Sequence, residues 1–124
     1  MEKQIFQFTN YDVPVEIAGH SFTLNCSADT GDYIKAAAGK LRELANQVAA
    51  GEKNNADIVE YGMGVVDHLL GAGAAEKILE GRDAKNRTSD VMDLCRFMVE
   101  IAAKFRNERQ KSTQLRPHRR KKKK

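Results

Sequence analysis

Residues 58–83, IVEYGMGVVDHLLGAGAAEKILEGRD, constrain the fold more than any other stretch. Apolar residues recur along two adjacent seams, Ile58/Gly62/Val65/Leu69 and Val59/Met63/Val66/Leu70, both with the 4-3-4 spacing of one helical face. The seam opposite, Asp57/Glu60/Gly64/Asp67, carries the charge. A helix with so wide an apolar side is marginal alone and must be covered by partner helices. The run closes at Gly71-Ala72-Gly73, where glycine supplies a left-handed backbone that ends a helix. A short helix restarts at Ala74 and continues to Leu79, and Gly81 offers a second stop. Gly62 and Gly64 each cost the longer helix about 1 kcal/mol relative to alanine, which suits a face that another helix approaches closely.

The same period recurs on both sides of this stretch. A helix over residues 30–50 is predicted by the stripe Ile34/Ala37/Leu41/Leu44/Val48. The capping-rich SADTG (residues 27–31) precedes it, and Gly51 is placed to follow its end. A last helix is predicted from Ser89 to about Arg109, with the stripe Val91/Leu94/Met98/Ile101/Phe105. Cys95, Phe97, Val99 and Ala102 widen its apolar side, so it is expected at the bundle centre with Met98 and Ile101 buried.

Residues 13–26, VPVEIAGHSFTLNC, alternate with period two around Gly19-His20, which predicts a hairpin with a type II′ turn. Ile17 would then face Phe22, Val15 face Leu24 and Val13 face Cys26, all on one side of the ribbon. Pro14 conflicts with that register, because it falls opposite Asn25 at a hydrogen-bonding position and cannot donate. Residues 3–8, KQIFQF, carry the pattern of a further short strand.

Charge divides the chain. From Lys104 to Lys124 there are eleven Lys and Arg against one acidic residue, a net of +10; residues 1–103 hold ten basic and sixteen acidic residues, a net of −6. The end of the chain, with Arg116, Arg119, Arg120, Lys121, Lys122, Lys123 and Lys124, has too little apolar surface to offset the entropy of ordering. The expected architecture is therefore mainly α. It is a small helical bundle of three long helices and one short one over residues 1–109, carrying an N-terminal β-hairpin. A disordered basic tail follows over residues 110–124.

Catalytic patterns are missing. Gly71-Ala72-Gly73 lacks the third glycine of a dinucleotide loop and follows a helix where a strand is required. No phosphate-loop, zinc-protease, nucleophile-elbow or calcium-loop pattern occurs. Cys26 and Cys95 are far apart and read as buried hydrophobes, and His68 has no carboxylate or cysteine placed around it. The reading is a non-catalytic protein with no cofactor and no metal. No run of 18 apolar residues marks a membrane span, and MEKQIFQFTN has no secretory core, so a cytoplasmic location is expected.

Taken in order, the hairpin VEIAGHSFTL, the helix YIKAAAGKLRELANQV, the stretch VVDHLLGAGAAEKILEGR and the final helix DVMDLCRFMVEIAAKF resemble the small tail assembly chaperones of long-tailed phages and prophages of Gram-positive bacteria. The resemblance covers about residues 13–106 and is sharpest at Asp67, Leu69, Leu70, Gly71, Gly73, Ala74, Ala75, Lys77 and Ile78. It implies a holdase that coats the long helical tape measure protein, helps recruit tail tube protein, works in the host bacterial cytoplasm and is absent from the finished virion. It also implies a longer product made by programmed frameshift. Four consecutive lysines (Lys121, Lys122, Lys123, Lys124) make an adenine-rich message of the kind on which ribosomes slip. The partner surface expected on this basis is Leu69, Leu70, Ile78 and Leu79, and a homo-oligomer is compatible with it. Two other readings stand beside it. One is a nucleic-acid-binding accessory protein acting through the basic tail, although that tail has no aromatic residue to stack on bases. The other is a structural subunit of the tail.

Overall fold

The computed structural model describes the backbone of residues 2–122 and the side chains of residues 2–109. Strands β1 (Asp12–Ile17) and β2 (His20–Asn25) form a two-stranded antiparallel ribbon. Helices α1 (Ala28–Ala49), α2 (Asn55–Leu70), α3 (Ala74–Leu79) and α4 (Arg87–Lys122) follow, with a 3-10 turn at Ala84–Asn86 before the last. The chain is a mainly α bundle with an N-terminal hairpin, as the periodicities require.

The hairpin register differs from the expected one by two residues. Ile17 pairs with His20, Val15 with Phe22 and Val13 with Leu24, while Cys26 lies past the end of the ladder. The turn residues are Ala18 (φ 52) and Gly19 (φ 81), both left-handed, which is the type I′ geometry rather than II′. Pro14 explains the choice. The Cys26 N–H donates to the Tyr11 carbonyl at 2.7 Å, which fixes the phase of the ladder. Alternation then places hydrogen-bonded pairs at Val13/Leu24 and Val15/Phe22, and Pro14/Thr23 falls between them, where no backbone donor is needed. Ala18 in a left-handed conformation costs roughly 1 kcal/mol, less than a lost ladder bond together with an unpaired carbonyl. A shift of two keeps side-chain parity, so Val13, Val15, Ile17, Phe22 and Leu24 still share the face turned to the helices.

Local chemistry sets the helix ends. Ser27 Oγ accepts from the Thr30 N–H at 3.4 Å to start α1, and Gly51 (φ 80) follows its end. The Asn54 N–H donates to Asp57 Oδ2 at 3.1 Å at the start of α2. Gly71 (φ 117) and Gly73 (φ 83) make the hinge between α2 and α3. Asp67 closes it, with Oδ1 accepting from the Ala75 N–H at 2.8 Å. Arg82 and Asp90 form a two-bond ion pair, both contacts 2.9 Å, that ties the chain after α3 to the first turn of α4.

The core gathers Leu24 of the hairpin, Ala37, Leu41 and Leu44 of α1, Ile58, Val65 and Val66 of α2 and all of the apolar face of α3. From α4 the buried seam is Val91/Cys95/Met98/Ala102. The expected stripe is thus corrected. Met98 is 1% exposed, but Leu94, Ile101 and Phe105 are half-buried and Phe97 and Val99 exposed. The reason is Gly62. A Cβ there would lie under 3.0 Å from Val91 Cγ1, so α2 and α4 meet backbone against side chain, and that contact turns the Val91–Cys95 line inward. Nothing lies within 4 Å of a Cβ at Gly64, so only one of the two α2 glycines serves close packing.

Two further expectations differ. Residues 3–8 form no strand, and Ile5, Phe6 and Phe8 project from a segment that finds no ladder partner. The helical backbone does not end near Arg109, because α4 continues to Lys122; adding a residue to an existing helix is far easier than nucleating one. The tail expected to be disordered, 110–124, lies outside the residues whose side chains are described.

Candidate functional site

Helices α1 and α4 lie against α2 without closing over it. Between them runs an apolar groove with a cavity of about 360 Å³. Small residues on α1 leave it room: Ala38 and Ala45 line it beside Leu41. Leu69 of α2 forms part of the floor, and Met92 and Val99 form the α4 wall. A lining of methyl groups and thioethers is adaptable and binds without directional demands. Its cost in water is the usual one for exposed apolar surface, so a patch of this kind marks an interaction site more often than an idle surface.

The rim has a different character. Arg42 of α1 and Arg96 of α4, one from each helix, border the groove. Arg96 pairs with Asp93 at 3.4 Å, both side chains well exposed, so the pair is screened and weak. A second hollow of about 330 Å³ lies further along the same two helices, bordered by Lys35, Arg106 and Arg109, with Asp32 on its edge. Arg109 there donates to Thr9 Oγ1 at 3.0 Å, and Tyr11 lies beside Phe105 with ring centroids 6.1 Å apart. The groove thus has a basic margin on a part of the chain whose net charge is negative.

Cys95 lies at the groove floor. Burial pushes its thiol up to about 11, so it stays protonated at neutral pH and serves as an apolar group rather than a nucleophile. Cys26 is half-buried, and burial followed by the nearby Asp12 charge raises its thiol too. His68, in the last turn of α2, stacks flat on Tyr33 with centroids 4.0 Å apart. Its position suits a ring covering a helix end. Among the described residues no group of three metal-ligating side chains comes together. Among them, too, no helix is long and apolar enough to cross a membrane.

The four residues expected at the partner surface are divided by the structure. Leu69 lines the groove, and Leu70 is half-buried against the core. Ile78 and Leu79 are core residues at 6% and 3% exposure, because the Asp67–Ala75 bond folds α3 back onto α2 and turns its apolar face inward. The basic residues Arg116, Arg119, Arg120, Lys121, Lys122, Lys123 and Lys124 lie where no side chain is described. Sequence reasoning missed the groove walls. Ala38, Ala45 and Met92 read as ordinary helix positions; Ala38 alone falls in a run of small residues, AAAG (residues 36–39), which does not by itself indicate a groove.

Comparison with protein-family models, with curated proteins and with solved structures finds no match.

Proposed function

We propose that the protein is a non-catalytic assembly chaperone for phage tails, which binds the tape measure protein and helps gather tail tube subunits around it. The observation that carries the reading is the open apolar groove between α1 and α4, floored by Leu69 and walled by Met92 and Val99. A groove between two helices is the standard receptor for one apolar face of a third, with side chains three and four residues apart dropping into it. A holdase needs an adaptable apolar surface and no chemistry, which fits a lining of Ala, Leu, Met and Val. The resemblance of residues 13–106 supplies the client, a long helical protein that must be kept from aggregating before the tube closes.

Co-expression with the tape measure protein tests the reading. The chaperone should keep the client soluble and co-purify with it in 1 M NaCl, since apolar docking survives salt. Ala38→Trp, which fills the groove from a half-buried position on its lining, should abolish both effects while the melting temperature stays near wild type. Retained co-purification with Ala38→Trp would rule the groove out.

A second reading, nucleic-acid binding through the basic C-terminus, is favoured by the +10 charge of residues 104–124. It predicts the opposite salt behaviour, with affinity falling steeply as counterions compete. A structural subunit, the third reading, would be found by mass spectrometry in finished particles.

A further inference from the structure

We infer that the α1/α4 groove selects amphipathic helices whose apolar face is flanked by acidic residues. The inference rests on the proposed reading in one respect, that the groove takes a helical segment, and goes beyond it by assigning charge recognition to named residues. Residues 1–109, which hold the whole margin, carry thirteen basic and seventeen acidic residues, a net of −4, so a groove placed at random on that surface would have an acidic margin. The observed margin is the reverse. Arg42 of α1 and Arg96 of α4 both border the apolar lining, and Lys35 and Arg106 border the next hollow along the same two helices. Against them stand Asp93, paired with Arg96, and Asp32. Among the described residues no carboxylate lies within ion-pair distance of Arg42.

The geometry turns that margin into a filter. Positions α1 31–45 and α4 92–106 run antiparallel, since Gly31 and Lys35 border the hollow at Ala102–Arg106 while Ala45 borders the one at Met92. A helix lying between them would set its apolar face on Leu41, Leu69 and Val99 and its two shoulders against one arginine on each side. Glu or Asp on those shoulders gains from both cations, and Lys or Arg is repelled by both. Rim charges of this kind govern choice of partner and rate of encounter more than total affinity. Arginine suits the role, because its planar head serves carboxylates in two-bond geometry and its stem covers apolar surface. A phosphate backbone fits the site poorly, because it would leave the apolar floor uncovered; the aromatic side chains nearby, Tyr11 and Phe105, lie in the second hollow and already pack on each other with ring centroids 6.1 Å apart.

Two synthetic peptides test this directly. Both are amphipathic helices with one Leu/Ala face; one has Glu and the other Lys at the flanking positions. Binding to the full chain is measured by fluorescence anisotropy in 50 mM NaCl. The Glu peptide should bind at least tenfold tighter than the Lys peptide, and the gap should narrow at 500 mM NaCl as screening grows. In R42E/R96E the preference should reverse. Both substitutions are on exposed positions, and an unchanged melting curve confirms the fold. Equal binding of the two peptides would overturn the charge filter while leaving the groove intact. Binding of neither would overturn the groove as a helix site, and so would a labelled single-stranded DNA that competes with the Glu peptide. If the Glu peptide binds and the tape measure protein does not, the filter stands and the proposed client is wrong.

Discussion

Gly62 is where the fold is most sensitive to a single methyl group. Gly62→Ala adds a Cβ under 3.0 Å from Val91 Cγ1, with Cys95 Sγ at 3.8 Å behind it. Val91 is fully buried and β-branched, so in a helix it has essentially one rotamer and no room to turn. The helices must therefore part, which opens the packed seam along α2 and α4. Overpacking of this kind costs about 1–3 kcal/mol, and a contact this short belongs at the upper end. Replacing glycine within a helix returns about 1 kcal/mol. The net expectation is a loss of about 1–2 kcal/mol, which for a domain of this size lowers the melting temperature by roughly 4–8 °C. Gly64→Ala is the internal control, two residues along the same helix. A Cβ there meets nothing within 4 Å, so the propensity gain stands alone and the variant should be about 1 kcal/mol more stable than wild type. Urea titrations followed by circular dichroism measure both. The pair G62A/V91A should recover much of the loss relative to V91A, because the clashing methyl is gone. If Gly62→Ala is as stable as Gly64→Ala, the account of how α2 and α4 meet is wrong.

Further outcomes follow from the core, the ion pair and the message. Met98→Ala should cost about 2–5 kcal/mol and Ile101→Ala distinctly less, because Met98 is 1% exposed and Ile101 half-buried; equal losses in a denaturant titration would contradict the placement of α4. The hydrogen bonds from Arg82, and then its charge, hold the Asp90 carboxyl below its ordinary range. A lowered folded-state pKa means a contribution present above the unfolded value near 3.8 and lost as pH falls through the folded one. Wild type should therefore exceed Asp90→Asn in stability at pH 7 and converge with it in strong acid, and a gap that persists at pH 2 would show that the carboxylate charge is irrelevant. Synonymous recoding of Lys121, Lys122, Lys123 and Lys124 should abolish a longer frameshifted product on a western blot without changing a residue. A level that stays the same would dispose of the slippage idea.

The helices were legible in the sequence because their burial is periodic. Of the α1 stripe, Ile34, Ala37, Leu41 and Leu44 are buried as the spacing requires and Val48 is half-buried against the core, and Gly51 takes the left-handed conformation expected of it. Other features were partly legible. Pro14 signalled a conflict in the hairpin, and moving the turn to Ala18-Gly19 removes that conflict at the expense of one strained alanine. On α4 nearly every residue on one side is apolar, so periodicity permits several rotations. The choice among them is made by Gly62 on another helix, which no local pattern on α4 records. The candidate site was least legible. The glycine hinge drew attention to Ile78 and Leu79, but the hydrogen bond from Ala75 to Asp67 folds them into the core. The groove depends on what Ala38 and Ala45 fail to fill, and an unfilled space between distant segments leaves no mark in a one-dimensional pattern.

The proposed function requires that a helical client lie on the face bounded by α1 and α4. Site-specific photocrosslinking in cells producing phage tests it most directly. A photoreactive amino acid at Val99, exposed on the groove wall, is compared with one at Glu52, in the exposed turn between α1 and α2. Val99 should give an adduct identified by mass spectrometry as the tape measure protein, Glu52 should give none, and R42E/R96E should weaken the Val99 adduct. A tape measure adduct at Glu52 with none at Val99 would contradict the proposal.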